Sequence, residues 1–384
     1  MIKISLIGST GSIGRQTISL VLSRPDKFKI VAMAADSSFR LFEEQMGTVK
    51  PQYAALADSF AAKKIADVPA GTKFFGGEDA ALAAASFESA DIVLVAAGGF
   101  AGLKYSLEAI GAGKRLALAN KETLVCGGDI VMPLIARRGG DIRPVDSEHS
   151  AIWQCLGFNL KAPFSRLIIT ASGGPFKNFS AEQLKGVTPA MALAHPTWSM
   201  GAKITIDSAT MLNKGFEIIE AHHLFGADYN KISAVIHPQS IVHSMVEFAD
   251  GAVLAQLSRP TMKLPIQLAL EYPERIELEE SRLSFGDALS LEFSPVSEGM
   301  FPCFDTALAC ARAGGTYPCA LNAAGEEAVR AFLAEKIKFT DIARVIGGVT
   351  EHTVSEDVQS YAQLCETDAR ARAYAQKLIL GCGR

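Results

Sequence analysis

None of the seven cysteines (Cys126, Cys155, Cys303, Cys310, Cys319, Cys365 and Cys382) forms a C-x-x-C pair. That spacing excludes a zinc knuckle, and the odd, scattered set argues against a disulfide framework. Buried, reduced thiols in a cytoplasm are expected instead. No apolar run is long enough to cross a bilayer, and residues 2–7 read as a strand rather than a signal peptide. An excess of positive charge is missing too: Lys and Arg number 37 against 41 Asp and Glu. This excludes a general nucleic-acid footprint but leaves room for a local basic pocket that holds a phosphate. There is no internal repeat and no low-complexity tract. What remains is a chain of 384 residues, 49% apolar, long enough for two or three domains.

The opening stretch, "MIKISLIGSTGSIGRQTISLVL", sets three glycines three residues apart, Gly8, Gly11 and Gly14, between an apolar run and a helical one. Ile2–Ile7 reads as a strand buried on both faces. Ile13, Thr17, Ile18, Val21 and Leu22 recur at helical spacing until Arg24-Pro25, and "KIVAMA" (29–34) supplies a second strand. Strand, glycine turn, helix and strand make a βαβ unit whose helix start directs N–H groups at a phosphate. The pattern predicts a Rossmann-like, doubly wound α/β domain that binds a dinucleotide. "ADIVLVAAGG" (90–99), a helix over 101–112 and "RLALAN" (115–120) continue it. Asp36 stands where an acidic residue meets the ribose of NAD, yet Ser37, Ser38 and Arg40 beside it suit the extra phosphate of NADP. Read alone, the stretch does not choose between them.

Past residue 146 the texture changes to mixed strands and helices, an α+β domain over 147–271. A charged linker follows over 272–297, then an alanine-rich helical domain over 298–384. "PVDSEHSAIWQ" places Asp146 and Glu148 two apart, on one side if the segment is extended. Two carboxylates suit a hard cation such as Mg2+ or Mn2+. In "IDSATMLNKGFEIIEAHHLFG", Asn213, Lys214 and Glu217 share a helical face, with Asp207 or Ser208 the expected N-cap. The alternative is a surface helix with an ordinary Lys–Glu pair. "TASGGPF" ends a strand at Ser172 and two glycines, a shape that cradles an oxyanion. "AHPTWSMGA" (194–202), with His195, Trp198, Met200 and Gly201, reads as a lid loop. His243 fits a buried strand or a ligand role equally. His222, His223 and His352 carry no supporting pattern.

Taken together, "GSTGSIG", "LANKETLV", "VDSEHSAI", "TASGGPF", "HPTWSMG", "IDSATMLNKGFEIIEA" and "HPQSIVHSM" resemble the 1-deoxy-D-xylulose 5-phosphate reductoisomerases, in order and across nearly the whole chain. The resemblance implies an NADPH- and metal-dependent enzyme that rearranges a phosphorylated sugar and then reduces it. It implies Asp146, Glu148 and Glu217 as ligands of Mg2+ or Mn2+, with Lys121, Glu148, His149 and Glu217 serving catalysis. Ser147, Ser172, His195, Trp198, Met200, Ser208, Asn213, Lys214 and His243 would surround the substrate. Thr10, Gly11, Ser12, Ile13, Asn120, Lys121, Glu122 and Gly201 would touch the cofactor, and Asp36, Ser37 and Ser38 would take the 2′-phosphate place. There the family commonly carries Gly-Lys/Ser-Asn. NADPH is expected nonetheless, with Ser37, Ser38 or Arg40 compensating while Asp36 turns outward. A cytoplasmic homodimer is implied as well. Two other readings share the nucleotide turn: an oxidoreductase with a cysteine nucleophile, and a nucleotide-binding regulator without turnover.

Overall fold

The alternation in the first part of the chain becomes a parallel sheet in the computed structural model, which describes all residues except 195–197, 199, 287–288 and 383–384. Its strands are β1 (Ile2–Ile7), β2 (Phe28–Ala35), β3 (Tyr53–Leu56), β4 (Lys73–Gly76), β5 (Ile92–Val95), β6 (Arg115–Leu118) and β7 (Ile142–Pro144). They lie in the order β4-β3-β2-β1-β5-β6-β7, with every neighbouring pair parallel. Strands buried on both faces need continuous apolar runs, and "ISLI" and "IVLV" supply them in β1 and β5. The order reverses between β1 and β5, the position where open α/β sheets leave a crevice for a ligand.

This sheet belongs to a compact unit made of Met1–Thr123, Val131–Ser150 and Thr261–Glu279. The last segment differs from the sequence boundaries, which put 147–271 in one domain and began a linker at 272. The helix Lys263–Glu271 carries Ile266, Ala269 and Leu270 on one face, and they join Ile4, Leu6, Ile18 and Phe42 in the core of this unit. Buried Arg143 on β7 fastens it, donating through Nη1 to Ala269 O at 3.0 Å and Tyr272 O at 3.3 Å. Local periodicity shows that such a helix has an apolar face but not which distant core receives it.

The second unit comprises Leu124–Ile130, Ala151–Pro260 and Glu280–Arg384. Its sheet contains β8 (Arg166–Ala171), β9 (Ile232–Ile236), β10 (Val242–Glu247), β11 (Val253–Leu257) and β12 (Ser294–Pro295), in the order β11-β10-β8-β9-β12. Among the described residues, only the β8–β9 pair is parallel. The tail forms the expected helices, Pro302–Ala313, Tyr317–Leu333, Phe339–His352 and Tyr361–Cys382. They pack within this same unit rather than as a separate body. Helix Leu212–Phe225 lies so close to Pro302–Ala313 that a Cβ on Gly215 would overlap that of Ala307. Phe176 meets Phe339 edge-on at 5.2 Å, tying the turn after β8 to the helical tail.

Candidate functional site

The glycine turn follows β1 at the sheet's switch point. Gly8 has φ +87°, and a Cβ there would stand 2.5 Å from the Ala96 carbonyl after β5. A Cβ on Gly14 would overlap the carbonyl oxygens of Gly8 and Ser9. These two glycines therefore let the turn close on itself. Gly11 differs: its nearest neighbours would lie at 3.4 and 3.8 Å, it is exposed, and it precedes the helix Ser12–Leu22 with no side-chain cap. Among the described residues, nothing requires its bareness. An exposed, uncapped helix start with Thr10, Ser12 and Ile13 half-buried around it fits a pyrophosphate.

The next part of this edge is a brace. Asn120 is buried; its Nδ2 donates to Ala97 O (2.8 Å), Gly99 O (3.0 Å) and Glu122 Oε2 (2.7 Å). Its Oδ1 accepts from the N–H and hydroxyl of Thr123 at 2.9 and 2.7 Å. That side chain is therefore engaged within the protein. Lys121 comes next, and its Nζ pairs with Asp146 Oδ2. At the end of β2, Asp36, Ser37 and Ser38 are exposed, with Ser37 Oγ donating to Asp36 Oδ2 at 3.2 Å.

Asp146 follows β7, and the segment after it is a helix, Ser147–Cys155, not the extended strand that would make i and i+2 point alike. Asp146 caps this helix by accepting from Glu148 N at 3.2 Å, so the two carboxyl groups meet at its positive end instead. His149, fully buried, sets Nδ1 3.0 Å from Asp146 Oδ1, and Ser147 Oγ donates to Glu148 Oε2 at 2.6 Å. The first unit thus holds Lys121, Asp146, Ser147, Glu148 and His149 in one bonded group.

In the second unit, helix Leu212–Phe225 rejects the surface-helix alternative. Glu217 is 1% and Lys214 4% exposed. Asn213 Nδ2 donates to Glu217 Oε1 at 2.5 Å, and Lys214 Nζ donates to Glu217 Oε2. The expected N-cap is overturned. Asp207 and Ser208 lie in a preceding helix, Ala202–Ala209, and Met211 caps the later one with φ +60°. Asp and Ser favour an N-cap by residue type, but here both sit inside the last turns of the earlier helix. Ser172 Oγ accepts from Gly174 N at 3.2 Å. Gly174, at φ +67°, approaches Ser208 O so closely that a Cβ would lie 3.0 Å from it. The turn that carries Ser172 and the glycine pair therefore packs against the Ser208 carbonyl.

Trp198 and Met200 are half-buried, and the described residues of 194–201 are not helical. His195 lies outside the described residues. The Trp198 ring stands 6.0 Å from that of His243, and buried His243 on β10 sets Nε2 2.9 Å from Ser258 Oγ. Ser258 was not legible beforehand: "LSRP" carries no spacing that marks it. Gly201 caps Ala202–Ala209, and a Cβ there would meet nothing within 4 Å. Burial drives the His223 pKa down to about 3, so that ring is a neutral packing group. The cysteine-nucleophile alternative loses support, since burial pushes Cys155 up to about 11 and a thiol is a weak nucleophile.

Comparison with known proteins agrees over the full length. Residues 4–128 match the family model for 1-deoxy-D-xylulose 5-phosphate reductoisomerase, 142–225 that of its C-terminal domain, and 257–374 a further DXP reductoisomerase C-terminal domain model. A reductoisomerase from Pelotomaculum thermopropionicum is 46% identical over 383 residues, covering 99% of both chains. The Zymomonas mobilis enzyme, solved in complex with NADPH, is 37% identical with a TM-score of 0.91, over 98% of this chain and 99% of that one. A structure of DOX-P reductoisomerase with NADPH, fosmidomycin and magnesium is 38% identical with a TM-score of 0.92, over 99% and 98%. The chain belongs to the 1-deoxy-D-xylulose 5-phosphate reductoisomerase family.

Proposed function

We propose that this chain converts 1-deoxy-D-xylulose 5-phosphate and NADPH to 2-C-methyl-D-erythritol 4-phosphate and NADP+, using magnesium or manganese held by Asp146, Glu148 and Glu217. The observation that carries the reading is the buried Glu217, gripped by Asn213 and Lys214 on one helical face, in a chain related to reductoisomerases from end to end. The donors are all carboxylate oxygens, the set a hard divalent ion takes, and the bare Gly11 turn suits the dinucleotide.

When bound, the metal supplies Lewis-acid charge for the skeletal rearrangement and the nicotinamide supplies the hydride. The residues around them have separable tasks. His149 and Lys121 fix the Asp146 carboxylate from two sides, which sets its orientation before any ligand arrives. Lys214 and Asn213 bring an ammonium and an amide to the substrate's oxygens in a water-poor setting, where charge acts strongly. Ser172, Gly173, Gly174 and Ser208 seat the phosphate, whose binding energy aligns the reacting end. Trp198, over His243, covers the substrate. The test is NADPH oxidation by the folded, magnesium-loaded chain in the presence of 1-deoxy-D-xylulose 5-phosphate, with activity lost on chelation. Silence from that protein would overturn the reading.

Assembly as a homodimer in the cytoplasm completes the proposal. No helix among the described residues is long and apolar enough to cross a membrane, and none of the seven cysteines is in a disulfide among the described residues. Among the described residues, edge strand β11 pairs only with β10, and its Val253 and Leu254 are 47% and 51% exposed. An apolar open edge invites a second copy. Sedimentation is expected to give a dimer that Leu254→Lys weakens; a wild-type monomer at micromolar concentration would refute it.

A further inference from the structure

We infer that Lys64 and Arg40, held against the ring of Phe39, form the cationic clamp for the 2′-phosphate of NADPH. The inference rests on the NADPH reading above and names residues that bring about that preference. The stretch after β2 poses the problem: Asp36-Ser37-Ser38 holds a carboxylate and two hydroxyls but no cation, and a carboxylate repels a phosphate dianion. The missing charge comes from two directions. Phe39 opens the helix Phe39–Val49, and Arg40 follows it with Cζ 5.7 Å from the Phe39 ring centre. Lys64 arrives from the segment after β3, with Nζ 5.2 Å from the same ring.

The sheet explains why these segments meet. β3 lies beside β2, and their exits stay paired: Ala57 N donates to Ala35 O at 2.9 Å, and Asp58 N to Asp36 O at 3.1 Å. Among the described residues, neither Arg40 nor Lys64 has a carboxylate within 4.0 Å. Cation–π attraction holds each at the ring, and an anion reaching the Phe39 end of the helix is attracted by both. Ser38 stands at the start of the Phe39–Val49 helix without capping it through its side chain, so its hydroxyl adds a donor. Asp36 is occupied on its own side by Ser37 Oγ, and its charge also reaches Tyr105, whose hydroxyl is pushed up first by burial and then by Asp36. The Tyr105 ring carries Lys104 Nζ at 5.1 Å, but that ammonium is paired with Glu78, so it adds no free cation there.

Calorimetric titration with 2′,5′-ADP and with 5′-AMP, alongside kcat/KM for NADPH and NADH, tests the clamp in Lys64→Ala and Arg40→Ala. Both side chains are exposed, so the variants are expected to fold. Each is expected to lose about tenfold in 2′,5′-ADP affinity and in NADPH kcat/KM, the size of one charge-assisted contact, with NADH and 5′-AMP changed less than about twofold. Equal losses for both nucleotides, or none, would overturn the inference while leaving the enzyme's reading intact. A wild-type chain indifferent to the 2′-phosphate would overturn the NADPH reading itself, and the clamp with it.

Discussion

Replacing Glu217 by glutamine is expected to cut magnesium-dependent turnover by roughly a hundred- to a thousandfold, the scale on which preorganised charge acts in a buried site. The substitution keeps the shape and removes the charge. Oε1 of the new side chain still accepts from Asn213, but the amide NH2 then faces Lys214 Nζ, donor against donor. Lys214 is 4% exposed, so its ammonium loses the Glu217 charge in a place where little water can replace it. Breaking a buried pair from one side costs about 3–5 kcal/mol, and thermal unfolding without metal should register that loss. Magnesium titration of the same variant should show weakened binding, because one of three anionic donors has gone. Asn213→Ala leaves the Lys214–Glu217 pair standing and is expected to retain the melting temperature while binding substrate less well. A Glu217→Gln protein that bound magnesium and turned over like wild type would remove this carboxylate from the metal.

Much of this site could be read beforehand because its chemistry is written in short runs. Gly8, Gly11 and Gly14 announced a turn, and Asn213, Lys214 and Glu217 shared a helical face by spacing alone. Helix identity was less legible at its ends. A single helix capped by Asp207 or Ser208 was expected, whereas those residues end a helix of their own and Met211 in the left-handed region starts the next. Asp146 and Glu148 looked like a strand pair because D-x-E says nothing about the helix that Asp146 itself caps. Long-range partners were the least accessible. Ser258 reaches His243 from the far end of a hairpin, and Lys64 reaches Phe39 through the pairing of two strand exits. Helix Lys263–Glu271 returns to the first sheet from residues distant in the chain. Periodicity marks which face of a segment is buried, whereas topology decides against what, and the former does not contain the latter.

The three glycines of the opening turn give a second large effect, because they ought to fail in different ways. In Gly14→Ala the new methyl would overlap two backbone carbonyls, those of Gly8 and Ser9, which cannot rotate aside as a side chain could. The turn must open, at about 1–3 kcal/mol or more for overpacking, and the nucleotide seat opens with it. Gly8→Ala adds an unfavourable φ of +87° to a 2.5 Å encounter with Ala96, so it is expected to be at least as damaging. Gly11→Ala meets only the Gly8 and Ala96 carbonyl oxygens at 3.4 and 3.8 Å and should melt within a degree or two of wild type. Its methyl would nevertheless stand at an exposed helix start where a pyrophosphate must approach the N–H groups. NADPH affinity is therefore expected to fall by about ten- to a hundredfold in a protein that remains folded, the loss of one or two hydrogen bonds to a charged group. Melting curves and NADPH fluorescence titrations on all three variants separate packing from binding. A Gly11→Ala protein that held NADPH as tightly as wild type would mean that the dinucleotide sits elsewhere than at this helix.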